Sequence, residues 1–117
     1  MKDTIKAFKA LSDETRLRIL NVLLERECCV CEVMQALDIS QTRASRNLSA
    51  LYDAGFLKLQ KDGVWVTYSI DIESTKDYFS DLVGIVGKAL DGNTVAKEDR
   101  ERLKKAERIG PGCANKQ

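Results

Sequence analysis

Apolar residues recur every three to four positions along most of this chain and, over one stretch only, every two. In TIKAFKAL the apolar positions Ile5, Phe8 and Leu11 predict a short amphipathic helix. Leu17, Leu20 and Leu24, with Ile19 and Leu23 beside them, predict a second helix running to about Glu25. Ser12 is its expected N-cap, with Asp13 and Glu14 in the first turn, where negative charge suits the helix dipole. A third, shorter helix is expected from Val30 to Leu37, and LDIS then breaks the pattern as a tight turn. Ser40 can cap a fourth helix from Gln41 to about Ala54, with Leu48 and Leu51 facing inward and Gly55 ending it.

The period then changes. FLKLQKDGVWVTYSI alternates apolar and polar residues on both sides of Asp62-Gly63, a favoured two-residue hairpin turn. Strands are expected at about Phe56–Lys61 and Val64–Ile70. Helical spacing returns in TKDYFSDLVGIVGKAL. Its apolar stripe, Tyr78, Phe79, Leu82, Val83, Ile85, Val86 and Leu90, is wider than one small core needs. A dimer seam is the expected use of that face, and Gly84 and Gly87 would let another helix approach closely. After the break at DGN, TVAKEDRERLKKAERI predicts a charged, mostly solvated helix, and GPGCANKQ a mobile tail.

Composition narrows the class. The chain has 117 residues, 44 % hydrophobic and 32 % charged, with one proline, which suits one helix-rich globular unit. No apolar run approaches the roughly 20 residues of a membrane span, and the amphipathic start has no signal-like apolar core, so a cytoplasmic protein with no membrane partner is expected. Net charge is only +1, yet from Ser40 to Lys61 the ionisable residues are Arg43, Arg46, Lys58 and Lys61 against Asp53 alone. Such a local patch can bind phosphate although the whole chain is near neutral. There is no histidine. That excludes histidine general bases and Ser-His-Asp or Cys-His devices, and removes the commonest nitrogen ligand for zinc.

A short helix, a tight turn and a longer helix form a helix-turn-helix unit, and a hairpin straight after makes it winged. The expected fold is therefore mostly α with a small β-hairpin: a winged helix-turn-helix, homodimeric. Residues 1–91 would form the DNA-binding and dimerisation domain, and 92–117 a charged C-terminal helix and flexible tail. In such units the N-terminal residues of the second helix meet base edges in the major groove. Here those are Ser40, Gln41, Thr42, Arg43, Ser45 and Arg46, and the hairpin tip, Lys61 and Asp62, would lie over the backbone or minor groove. Arginine can pair with guanine edges or hold phosphate, and glutamine can pair with adenine.

FKALSDETRLRILNVL, then CVCEVMQALDISQTRASRNLSALYDAGFL, then KDGVWVTYSI resemble the ArsR/SmtB family of metal-sensing repressors, over roughly Phe8 to Ile70. The resemblance implies a winged-helix homodimer, not an enzyme. It would bind double-stranded operator DNA without a cofactor and leave it when a metal or metalloid binds. It also implies dimer contacts from the first helix and the helix after the wing.

The cysteines refine that reading. Cys28, Cys29 and Cys31 fall within four residues, and the only other cysteine is Cys113. In a reducing cytosol such thiols more often serve metal or redox chemistry than structural disulfides. CVCE, Cys29 to Glu32, resembles the thiolate site at the start of the third helix in arsenite and cadmium/lead sensors, which carries Cys29 and Cys31 over as ligands. Arsenite sensors of the best-known type add a cysteine three residues after the second, where this chain has Met34. Cys28 is the expected substitute, with Cys113 and a non-protein thiol as the other sources of a third sulfur. Cadmium/lead sensors add cysteines from an N-terminal extension, and no cysteine precedes Cys28 here. Zinc sensors use carboxylates and histidine on the helix after the wing, so Asp77 and Asp81 read as solvated charge.

Soft thiolates select soft acceptors, and trivalent arsenic takes three in a pyramid. The expected inducer is arsenite, with antimonite a close analogue. On a helix Cys28 and Cys31 would share a face, whereas Cys29 and Cys31, two apart, would not. Joining all three to one atom would distort the start of the third helix and disturb the reading helix packed on it. The alternatives are a cadmium/lead-responsive repressor and a thiol-redox repressor using a Cys28–Cys31 disulfide. More distant are a thiol oxidoreductase and a DNA-binding protein that senses nothing.

Overall fold

The computed structural model describes residues 1–73 and 77–109. Its elements run α1 (Lys2–Leu11), α2 (Glu14–Leu23), α3 (Val30–Leu37), α4 (Gln41–Asp53), β1 (Leu57–Asp62), β2 (Trp65–Ile70), α5 (Asp77–Leu90) and α6 (Thr94–Lys105). This is the expected winged helix-turn-helix order, mostly helical with one two-stranded antiparallel sheet. Ile19, Leu20 and Val22 of α2, Val33 and Leu37 of α3, Leu48 and Leu51 of α4, and Phe56 before the wing form the fully buried centre. α2 is the axis of the molecule, packing against every other helix.

The N-terminus of α2 differs from expectation by one residue. Asp13, not Ser12, is the N-cap, extended at φ −151° and ψ 132°, and its carboxylate accepts the Arg16 N–H at 3.0 Å. A carboxylate offers this cap a charge as well as a lone pair, which the helix dipole rewards. Ser12 instead closes α1, its hydroxyl donating to the Phe8 carbonyl at 2.8 Å. Arg16 then locks three helices together. Its guanidinium donates to the carbonyls of Ala10 (2.6 Å) and Lys9 (3.1 Å) at the end of α1 and to Asn47 of α4 (3.1 Å).

The turn between α3 and α4 passes through Asp38 in the left-handed region (φ 55°), and Ser40 caps α4 by accepting the Arg43 N–H at 3.2 Å. Gly55 (φ +98°) turns the chain from α4 into the wing. A Cβ there would stand 2.6 Å from Phe79 Cε2, and the Phe79 ring stacks on Phe56 at 4.5 Å. β1 and β2 pair from Leu57↔Ile70 to Asp62↔Trp65. The turn is therefore Gly63-Val64, one residue beyond the expected Asp62-Gly63. Gly63 (φ +65°) stands first in it, where primed hairpin turns require positive φ.

On α5, Phe79, Val83 and Val86 face the core while Ile85 is exposed. The expected start of this helix at Thr75 lies outside the described residues. Gly87 admits a neighbour from its own chain, since a Cβ there would meet Leu24 Cδ1 at 3.2 Å, whereas Gly84 faces open space.

α6 is exposed over most of its length, as expected, but it also has a buried inner face. Ala96, Asp99 and Leu103 are buried on its inner face, which packs on α2 and α3. Asp99, with no exposed surface, receives Arg18 through two hydrogen bonds and Arg102 through one, all at 2.8 Å. Burial of a charge is tolerable only with such pairing. Leu103 belongs to the main core, which ties α6 to the rest of the fold. Among the described residues no helix is long and apolar enough to cross a membrane. The expected mobile tail, residues 110–117 with Cys113, lies outside the described residues.

Candidate metal centre and nucleic-acid interface

The three clustered cysteines do not behave as one unit. Cys28 is not helical. It forms an antiparallel bridge with Tyr68 on the outer edge of β2, its N–H donating to the Tyr68 carbonyl at 3.0 Å and its carbonyl accepting the Tyr68 N–H at 2.7 Å. Cys29 follows in extended geometry (φ −84°, ψ 171°) as the N-cap of α3. Successive side chains on extended backbone point to opposite sides. Cys28 accordingly sits in the main core, while Cys29 and Cys31 form a separate buried cluster flanked by Met34 and Trp65.

This reverses the expected face-sharing. Cys29 Sγ and Cys31 Sγ lie 3.2 Å apart although the residues are two apart. An N-cap side chain folds back over the first helical turn, so the helical spacing rule does not govern it. The Cys29 sulfur occupies the place of a capping hydroxyl, and Glu32, three residues on, accepts the Cys29 N–H at 2.9 Å. Cys31 is disulfide-bonded, while Cys28 and Cys29 are free, so no Cys28–Cys31 bond is formed.

Glu32 is the hub of the site. Its carboxylate also receives Arg26 at 2.7 Å and Arg108 at 3.5 Å. Burial alone would raise its carboxyl pKa, but the Cys29 N–H and the Arg26 guanidinium outweigh burial and hold it below the ordinary value. Burial pushes the Cys28 thiol up to about 12, only partly opposed by Arg26. Burial likewise raises Cys29. Among the described residues, no three His, Cys, Asp or Glu side chains are gathered closely enough to hold a metal ion.

The chain after α6 returns to these sulfurs. The Glu107 carbonyl lies 3.9 Å from Cys31 Sγ. Gln35 of α3 clamps the Glu107 backbone from both sides, donating to its carbonyl at 2.7 Å and accepting its N–H at 3.1 Å. Arg108 spans from Glu32 to Asp62 (3.1 Å) at the end of β1, and its guanidinium lies 5.8 Å from the Trp65 ring centroid. One short segment therefore touches the sulfur pair, α3 and the wing. Hairpin periodicity and composition gave no sign of this strap, or of the Cys28–Tyr68 bridge, because both depend on long-range contacts.

The residues expected to meet DNA lie on α4 and at its N-cap. Ser40, Thr42, Arg43 and Arg46 are exposed, and Gln41 and Ser45 partly so. They are not all equally available. Gln41 donates to Ser45 at 2.8 Å, and Arg43 donates to Thr15 of α2 at 2.8 Å, which leaves Arg46 as the outward cation. Lys61 is exposed near the wing tip, whereas Asp62 beside it is engaged by Arg108. Asp77 and Asp81 are exposed on α5.

Comparison with known proteins agrees with this geometry. Residues 13–58, from the cap of α2 into the wing, match the family described as "Bacterial regulatory protein, arsR family". A "Cadmium resistance transcriptional regulatory protein CadC homolog" of Staphylococcus aureus is 47 % identical over 75 residues, covering 63 % of this chain and 62 % of that protein. The chain thus spans under two thirds of that relative's length. An "Arsenical resistance operon repressor" of Bacillus subtilis is 32 % identical over 75 residues, covering 63 % of this chain and 71 % of that protein. In structure, the chain resembles a homodimeric winged helix-turn-helix DNA-binding domain from Mycobacterium bovis at TM-score 0.65 and 27 % identity, over 80 % of this chain and 82 % of that one. With the cap, turn and wing of that architecture in place and this extent of likeness, the chain belongs to the arsR family of bacterial regulatory proteins.

Proposed function

We propose that this protein is a homodimeric, cytoplasmic transcriptional repressor that holds operator DNA with α4 and the wing and releases it when arsenite binds Cys29 and Cys31. The observation that carries the reading is the buried sulfur pair, 3.2 Å apart at the N-terminus of α3, the helix that packs on α4. Once the Cys31 disulfide is reduced, two sulfurs this close can share one atom. Binding there acts on the N-cap of α3 and on the hydrogen bond from Cys29 to Glu32. It also acts on the wing, because the neighbouring Cys28 is bonded to Tyr68. α3 and β2 are thus moved together relative to the DNA-competent arrangement. A coupling of about 1–3 kcal/mol, a factor of roughly 5–150 in affinity, suffices for such a switch.

Charge supports arsenic over cadmium, the metal in the staphylococcal relative's name. Trivalent arsenic with three thiolates is neutral, whereas cadmium with three or four leaves net negative charge, which is costly in a buried site. The α1 and α5 faces support the dimer. Ile5 and Phe8 are 48 % and 53 % exposed on α1, Ile85 is 59 % exposed on α5, and the two helices meet through Thr4 and Tyr78 at 3.5 Å.

The test is fluorescence anisotropy of fully reduced protein on duplex DNA that it selects from a random pool. Arsenite is expected to weaken binding at least ten-fold. Cys29→Ser and Cys31→Ser should bind DNA normally and ignore arsenite. Unchanged DNA affinity in the presence of arsenite overturns the reading.

A further inference from the structure

We propose that α6 is part of the DNA-reading unit, with Asp99 as a positioning residue that fixes the turn before α4 through Arg18 and Arg102. This goes beyond the sensing reading and rests on one part of it alone, that α4 meets DNA. The family match ends at residue 58, so α6 lies wholly outside it.

The need arises in α3. It is 8 residues long, and the last carbonyls of any helix find no partner within it. The Met34 carbonyl is met by the N–H groups of Asp38 and Ile39. The Ala36 and Leu37 carbonyls are met by side chains from two other helices. Arg102 of α6 donates from Nε to the Ala36 carbonyl at 2.8 Å, and Arg18 of α2 donates from Nη2 to the Leu37 carbonyl at 2.9 Å. Cations suit a helix C-terminus, and charge-assisted hydrogen bonds from planar guanidinium groups also fix its direction.

One carboxylate aims both guanidinium groups. Arg18 donates to Asp99 from Nε and Nη2, and Arg102 donates from Nη2, each at 2.8 Å. Asp99 has no exposed surface, so water cannot stand in for it. Without that carboxylate the Arg102 side chain, 42 % exposed, is free to turn towards solvent.

The consequence falls on α4. Only Asp38, Ile39 and Ser40 separate α3 from α4, with Asp38 at φ 55° and Ser40 as the N-cap. Over so short a link, the direction in which α3 ends sets where α4 begins. The start of that helix is the part expected to meet base edges. Base-edge hydrogen bonds depend on its exact placement, whereas phosphate contacts carry no sequence information. Loss of Asp99 should therefore cost discrimination between sequences before it costs DNA binding itself.

Fluorescence anisotropy at one fixed salt concentration would compare the selected duplex with a scrambled one, using the reduced full chain. Urea denaturation would confirm that each variant is folded. Asp99→Asn should bind the selected duplex about ten-fold more weakly, the scale of one lost base contact. Arg102→Gln, a change nearer the surface that remains readable if Asp99→Asn does not fold, should lose about three-fold. Both should bind the scrambled duplex within about two-fold of wild type, since that binding rests on phosphate contacts. Leu103→Ala removes a core side chain from α6 without touching these hydrogen bonds, so it controls for stability alone and should keep both affinities. The carbonyl-carbon NMR shift of Ala36 should move in Asp99→Asn and Arg102→Gln and stay in place in Leu103→Ala. Unchanged sequence preference in folded Arg102→Gln, or an equal loss in Leu103→Ala, overturns the inference and leaves DNA binding by α4 standing. A wild type that prefers no sequence overturns the reading that α4 meets base edges, and the inference with it.

Discussion

At the scale of single residues, Glu32 governs the sulfur site. It accepts the N-cap amide and two arginines from a largely buried position, with its side chain 6 % exposed. Glu32→Gln keeps the shape and removes the charge. It should destabilise the protein by about 1–3 kcal/mol in urea denaturation, the range for buried hydrogen bonds to charged groups. The acid dependence follows from the direction of its pKa. The folded value lies below the unfolded one, so its stabilisation is complete above the unfolded value of about 4.3 and is lost as pH falls through the folded value. Wild type should therefore lose stability below about pH 4.5 more steeply than Glu32→Gln, read as the urea midpoint against pH. In the sequence Glu32 stood only as the last residue of CVCE, and its capping role came from the folded geometry. Its arginine partners were invisible, since Arg26 and Arg108 reach it only in the folded chain.

At the scale of elements, two junctions set the geometry of the reading head. Gly55 turns α4 into the wing at φ +98° with the Phe79 ring against its α-carbon. Gly55→Ala combines a disfavoured φ with a 2.6 Å clash and should cost about 1–3 kcal/mol, seen as a lowered melting temperature. Asp99 ties α6 to α2 by its paired bonds to Arg18. Asp99→Ala strands that arginine, whose side chain is 15 % exposed, and should cost about 3–5 kcal/mol. The sequence marked Gly55 plainly, at the end of a helical period. It concealed Asp99, because KEDRERLKK is polar at nearly every position and its inner face holds a carboxylate where a core residue would stand. The wing turn slipped by one residue for a related reason. Asp-Gly and Gly-Val both make acceptable two-residue turns, and only the pairing of Asp62 with Trp65 decides between them.

At the scale of the whole molecule, the proposed dimer and its DNA depend on surfaces that one chain leaves open. Phe8→Glu and Ile85→Glu should each yield a monomer in sedimentation velocity and weaken DNA binding by more than ten-fold, because a two-fold protein reads two half-sites at once. Arg46→Ala, on the outward face of α4, should weaken DNA binding by about 1–3 kcal/mol without changing the arsenic stoichiometry. Arg43 is held by Thr15, so Arg43→Ala should lower stability as well as DNA affinity, which urea denaturation separates from a pure contact.

Periodicity, caps and turn residues, all local physics, were enough to place α3 at Val30–Leu37, α4 from Gln41, the paired strands after Gly55 and the helix beyond them. The absence of histidine and the crowding of three cysteines made thiolate chemistry the expectation that the proposed function takes up. Which sulfurs meet was decided by tertiary structure. The bridge to Tyr68 turns Cys28 into the core, the N-cap geometry folds Cys29 onto Cys31, and Gln35 draws the chain after α6 across the pair. Each of these contacts joins residues far apart in the chain or depends on backbone angles at a single position, and neither leaves a period to read.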